Sequence, residues 1–131
     1  MIFVDTSAFF ALTNSSDQFH EQTLAAWKNL IETDERLVCN NYVLVESFAL
    51  IQRRAGLEAI KMLHTQILPM IEIEWFDQER HDVAVDFVLT TDRRKLSFVD
   101  CSSFTTMKRM GIQTAFTFDD HFREQGFKVI P

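Results

Sequence analysis

Ile2-Phe3-Val4-Asp5-Thr6-Ser7-Ala8-Phe9-Phe10-Ala11-Leu12 decides the fold. Three apolar, β-favouring residues with no polar partner read as a strand buried on both faces, because a half-exposed strand would alternate apolar with polar. Asp5, Thr6 and Ser7 then supply the short polar side chains that open a helix, and Thr6 to Leu12 is predicted as a short helix or turn. A fully buried strand that hands directly to a helix is the start of a parallel α/β domain.

Outward from that stretch, the alternation continues. Asp17 to Glu32 is expected as an amphipathic helix with Phe19, Leu24, Trp27 and Leu30-Ile31 on its apolar side. Leu37-Val38-Cys39 reads as a second strand running into Asn40-Asn41, an N-cap signal for a helix that ends near Gly56. Leu57 to Leu68 is predicted helical and stopped by Pro69, Ile71 to Trp75 alternates as a strand, and Gln78 to Leu89 returns to helical spacing. Ser97 to Met110 is a helix closed by Gly111, Thr114 to Thr117 a strand, Asp120 to Gln125 a short helix closed by Gly126, and Phe127 to Ile130 a last strand. Strands alternating with helices give a three-layer α/β/α fold with a central, mainly parallel sheet.

The 131 residues, 47% of them hydrophobic, fit one domain spanning 1–131 with one substantial core and no linker. Thirteen phenylalanines make that core aromatic and leave apolar surface over for a partner. The formal charge of −6 argues against nonspecific binding to a phosphate backbone. Basic residues are nevertheless grouped as Arg53-Arg54, Arg93-Arg94-Lys95 and Lys108-Arg109, so local positive patches remain on an acidic protein. Cys39 and Cys101 lie far apart in no zinc-binding spacing and read as reduced core thiols. The chain enters its first strand with no basic leader, and no apolar run approaches the roughly 18 to 20 residues that cross a bilayer, so a cytoplasmic, non-membrane location is expected.

Four acids carry the functional signal. Glu46 sits among Tyr42-Val43-Leu44-Val45 and Ser47-Phe48-Ala49-Leu50-Ile51 with no other charge near it. It lies too far inside its helix to cap the N-terminus, so it is expected within the fold, where an ionised carboxylate is costly unless a cation or strong hydrogen bonds offset it. Asp5, Asp100 and Asp119 each end an apolar run, and in a parallel sheet such positions gather beyond the carboxyl ends of the strands. Four carboxylates at one point raise each other's pKa unless divalent ions neutralise them. An all-oxygen set suits Mg²⁺ or Mn²⁺, and two such ions would bring the formal charge from −6 to −2.

Each acid also has a plainer reading. Asp5 and Asp119 serve as helix caps, Ser97-Phe98-Val99-Asp100 fits a capping box, and a buried Arg partner would account for Glu46. Thr6, Ser7 and Thr117 are placed to orient carboxylates or a water through their hydroxyls, and Asp120 to support or replace Asp119. His121 reads as a packed or surface histidine rather than a ligand, Asp92 as a capping or pairing residue, and the basic triplet beside it as a solvated loop.

Asp5-Thr6-Ser7, Asn41-Tyr42-x-Leu44-x-Glu46, Leu96-Ser97-Phe98-Val99-Asp100 and Thr117-Phe118-Asp119-x-x-Phe122 occur in this order over nearly the whole chain, with Gly126-Phe127 closing it. In this the sequence resembles the PIN-domain family, and within it the VapC-like ribonuclease toxins. The resemblance implies a central parallel sheet, an acidic Mg²⁺ or Mn²⁺ site built from Asp5, Glu46, Asp100 and Asp119, and endonucleolytic cleavage of RNA. Thr6 or Ser7 and Thr117 would support the acids, while the doubled Asp119-Asp120 leaves open whether Asp120 shares the last position. A toxin of this kind is expected to pair with an antitoxin protein that covers apolar surface, and a homodimer is expected on the same grounds. Two other classes fit less well. An aspartyl-nucleophile phosphohydrolase wants a second Asp two positions after the first, where this chain has Ser7. A non-cleaving RNA- or antitoxin-binding module has no evident reason to keep a repelling set of acids.

Overall fold

The computed structural model describes residues 1–131. The order is β1 (Ile2–Val4), α1 (Thr6–Thr13), α2 (His20–Glu32), β2 (Leu37–Asn40), α3 (Asn41–Ala55), α4 (Leu57–Met62), β3 (Ile71–Glu74), α5 (Gln78–Thr91), α6 (Phe98–Met110), β4 (Thr114–Phe116), α7 (His121–Glu124) and β5 (Lys128–Ile130). The strands form one sheet in the order β3-β2-β1-β4-β5, and all four pairings are parallel. β1 lies at the centre, with Ile2 opposite both Leu37 and Thr114. This is why Ile2, Phe3 and Val4 are all buried: strands pair on both edges and helices flank the sheet.

From β1 the chain steps to β2 and β3 on one side, then returns past β1 to β4 and β5 on the other. The crevice between the carboxyl ends of β1 and β4 is therefore the switch point at which such sheets place their sites. Asp5 follows β1 there, and Thr117 to Asp119 follow β4. α1 packs on α2 and α3, while α6 packs along α5 and also touches α3 and β2.

Several boundaries differ from expectation for local reasons. α2 begins at His20 rather than Asp17, because the Asp17 carboxylate accepts from the Phe19 N–H at 2.8 Å and holds residues 17–19 in a turn. The run from Leu57 to Leu68 is not one α-helix. It widens to a π-helical turn over Leu63–Ile67 and tightens to a 3₁₀ turn over Leu68–Met70, where Pro69 supplies no N–H. Asp92 caps α5 from the left-handed region at φ 47°, a conformation that Asp tolerates better than most residues. Both cysteines are free and buried, and burial pushes the Cys39 thiol up to about 12.

Asn40 has a larger part than its sequence signal conveyed. Its Oδ1 accepts from the Val43 N–H at 2.9 Å and caps α3. Its Nδ2 donates to Ser102 Oγ at 3.1 Å and Thr106 Oγ1 at 3.2 Å. One fully buried amide thus ties β2, α3 and α6 together, fixing the helix that carries Glu46 against the one that carries Asp100.

Candidate functional site

Asp5 is 5% exposed and caps α1. Hydrogen bonds converge on its Oδ2 from the Ser7 N–H at 3.3 Å, Ser7 Oγ at 2.8 Å and Thr117 Oγ1 at 2.9 Å. Ser7 and Thr117 each give their single hydroxyl proton to Asp5. Their lone pairs then accept from the chain after β4, Ser7 from the Phe118 N–H at 2.9 Å and Thr117 from the Asp119 N–H at 3.0 Å. Two hydroxyls therefore stitch the ends of β1 and β4 together around one carboxylate. Burial nevertheless holds the Asp5 carboxyl above the ordinary range, against the lowering effect of these bonds.

Glu46, one turn after Tyr42 on α3, is half-buried rather than enclosed, because Val45 and Ala49 beside it face solvent. No Arg or Lys pairs with it; the structure's ion pairs all involve other carboxylates. Its carboxyl is raised by burial first and then by the charges of Asp5 and Asp119, while a hydrogen bond from Thr6 lowers it. Thr6, itself buried, also accepts from Ser47 Oγ at 3.2 Å, joining α1 to α3 beneath the acids.

Asp100 caps α6 and also stands beside the other acids. Ser97 Oγ accepts from the Asp100 N–H at 3.0 Å and Asp100 Oδ2 accepts from the Ser97 N–H at 3.3 Å, closing the capping box. Its pKa is pushed up to about 6 by burial and then by the charges of Asp119 and Asp5. The capping geometry aims the carboxylate at the cluster; it is not an alternative to membership.

Asp119 is a third exposed and accepts from the His121 N–H at 2.9 Å. That turn brings the His121 ring among the acids, with Nδ1 3.1 Å from Asp119 Oδ1 and 3.7 Å from Asp100 Oδ2. The nitrogen is shielded from solvent and stands at ion-pair distance from Asp119 without hydrogen-bond alignment. Asp100, Asp119 and His121 offer ligand atoms within 4.8 Å of one another. His121 was set aside in the sequence as packed or exposed, and the signal that could have found it is its position two residues after an Asp that ends a strand. Asp120 is the opposite case. Expected among the supporting residues, it is 83% exposed and pairs with Arg123 at 3.2 Å, so it does not join the cluster. The first turn of α7 directs successive side chains apart.

Glu46 and Asp100 thus each feel the charges of Asp5 and Asp119, and three of the four acids are held above their ordinary pKa. A constellation of this kind is unstable by itself and suits a hard divalent cation with oxygen ligands. The fold and site define an α/β/α domain with an acidic cluster in the carboxyl-end crevice of its parallel sheet, where oxygen ligands could hold a divalent cation.

The chain belongs to the PIN domain family, whose profile matches residues 2–128. It is 33% identical over 128 residues to the 23S rRNA-specific endonuclease VapC20 of Mycobacterium tuberculosis, covering 97% of this chain and 95% of that one. The crystal structure of that VapC20, described as a sarcin-ricin loop cleaving toxin, superposes with a TM-score of 0.85 over 100% of both chains. FitAcB from Neisseria gonorrhoeae superposes with a TM-score of 0.71 at 18% identity over 100% of this chain and 97% of that one, a likeness of fold. The likeness to VapC-like ribonuclease toxins read from the four motifs is borne out, as is the α/β/α fold. No helix is long and apolar enough to cross a membrane.

Proposed function

We propose that this chain is an Mg²⁺- or Mn²⁺-dependent endoribonuclease, the toxin of a toxin–antitoxin pair, acting in the cytoplasm as one domain over residues 1–131. The observation that carries this is the convergence of Asp5, Glu46, Asp100 and Asp119 with no basic side chain neutralising Glu46. The kinship with an rRNA-specific endonuclease makes large-subunit rRNA the first substrate to test.

In this reading the four carboxylates hold the ions, and His121 borders them. Bound divalent ions would supply an acidified water and neutralise charge on the phosphate. The remaining work falls to the chain. Asp5 is held at one rotamer by Ser7 and Thr117, Glu46 is steadied by Thr6, and Asp100 is aimed by its capping box. Such fixed placement of the carboxylates keeps the site ready to hold divalent ions, which would orient the phosphodiester for attack by water, so no nucleophilic side chain is needed.

An antitoxin would be expected to cover part of the apolar surface represented by Val45, Leu57, Trp75 and Leu89, each more than 60% exposed. A homodimer is proposed on the same grounds. The deciding experiment incubates the purified protein with ribosomal RNA in Mg²⁺, Mn²⁺ or EDTA and maps the new 5′ ends. Discrete cleavage that EDTA abolishes is expected. RNA that shifts in a gel but stays intact with every metal would favour the non-cleaving binder.

A further inference from the structure

Beside the acids lies a small concavity of about 200 Å³ to which Thr117 and Asp119 both contribute. Its other walls include Phe19, Gln22, Phe118, Arg123 and the Asp120 carboxylate that pairs with that arginine. The turn that delays the start of α2 sets the Phe19 ring flat on Phe118, with centroids 4.3 Å apart and planes 8° from parallel. Both rings are half-buried and both line the pocket, giving it an aromatic wall. Gln22 is exposed at the rim, where its amide offers both a donor and an acceptor. Arg123 is bound only to Asp120, at 3.2 Å with the two side chains 61% and 83% exposed, a pairing weak enough to be exchanged for a phosphate.

We propose that this concavity is a nucleobase subsite that seats the base of a nucleotide flanking the scissile phosphate and so sets the cleavage preference. An aromatic wall, a bifunctional amide at the rim and a guanidinium are the elements by which unpaired RNA bases are stacked and read along their edges. The subsite shares Thr117 and Asp119 with the acidic cluster, so its occupant is contiguous with whatever phosphate lies there. This rests on the endoribonuclease reading only for its physiological meaning; the binding itself needs no cleavage.

The test titrates the wild-type protein, in EDTA, with each of the four ribonucleoside 5′-monophosphates and with ribose 5-phosphate, following backbone amides by NMR. Shifts are expected at Phe19, Gln22, Phe118 and Arg123. At least one nucleotide should bind about tenfold more tightly than ribose 5-phosphate, the scale of one base–aromatic stack. Gln22→Ala, an exposed change that leaves the fold alone, should level the differences among bases, and Phe19→Leu should weaken all four about tenfold. Equal binding of nucleotides and ribose 5-phosphate would overturn the subsite, as would an unchanged base preference in Gln22→Ala. Shifts caused by N-acetyltryptophanamide and by no nucleotide would overturn it too, assigning the pocket to a peptide side chain. If the wild type leaves RNA intact with Mg²⁺ and Mn²⁺, the nuclease reading fails, while this metal-free titration still decides the subsite.

Discussion

Replacing Asp100 by Asn should stabilise the metal-free protein while destroying its activity. The folded protein holds this carboxyl at about 6 against an ordinary 3.8. The folded state therefore binds the proton more tightly than the unfolded chain, and stability rises as pH falls through 6. Above that range the ionised group opposes folding by about 3 kcal/mol, at roughly 1.36 kcal/mol for each pH unit of the difference. Asn keeps the size and an oxygen able to accept from the Ser97 N–H, but loses the favourable charge at the helix N-terminus, about 0.3–1 kcal/mol. The net gain at pH 8 in EDTA is about 2 kcal/mol, a rise in Tm on the order of 5–10 °C for a domain of this size. The assay is urea or thermal unfolding of both proteins from pH 8 to pH 4. The advantage of Asp100→Asn should shrink as wild-type Asp100 takes up its proton and disappear near pH 4. Mg²⁺ should raise the wild-type Tm more than that of the variant. A variant less stable than wild type at pH 8, or an advantage that does not fade on acidification, would falsify the account of a carboxylate ionised at a cost by burial first and by Asp119 and Asp5 second.

Further consequences concern the supporting residues. Asp5→Asn should lower RNA cleavage on the order of 10²–10³-fold with an unchanged circular dichroism spectrum; activity retained at saturating Mg²⁺ would remove Asp5 from the chemistry. Thr117→Val takes away a donor to Asp5 and the acceptor for the Asp119 N–H, and should reduce activity or metal affinity about 10- to 100-fold, whereas Asp120→Asn should leave cleavage within about threefold. Asn40→Ala should destabilise by about 2 kcal/mol through the lost cap and the lost donor to the Ser102 and Thr106 hydroxyl oxygens, read from denaturant midpoints at constant m.

The residues differ in how far the sequence foretold them. Ile2-Phe3-Val4 could be read because a strand buried on both faces leaves an uninterrupted apolar run, and Ser97 to Asp100 because a capping box is a local hydrogen-bond pattern. Glu46 stood out because a lone charge in an apolar helix needs a partner, although its exposure depends on which neighbours other elements leave uncovered. The sequence alone does not rank His121 against Asp120. Both follow Asp119, and only the turn into α7 decides that the His121 ring enters the cluster while the Asp120 side chain leaves it. The stack of Phe19 on Phe118 joins residues far apart in the chain and could not be read locally.

By itself the sequence determined the alternation of strand and helix, the carboxyl-end placement of Asp5 and Asp119, and the acidic character of the site. These follow from periodicity, capping and the cost of lone charges, all of which act within a few residues. Only the tertiary structure decided the strand order 3-2-1-4-5, the hydroxyl stitch of Ser7 and Thr117 on Asp5, and the buried Asn40 that locks α3 against α6. The Asn40–Ser102 and Asp5–Thr117 bonds join residues 62 and 112 positions apart, and only packing chooses which distant groups meet.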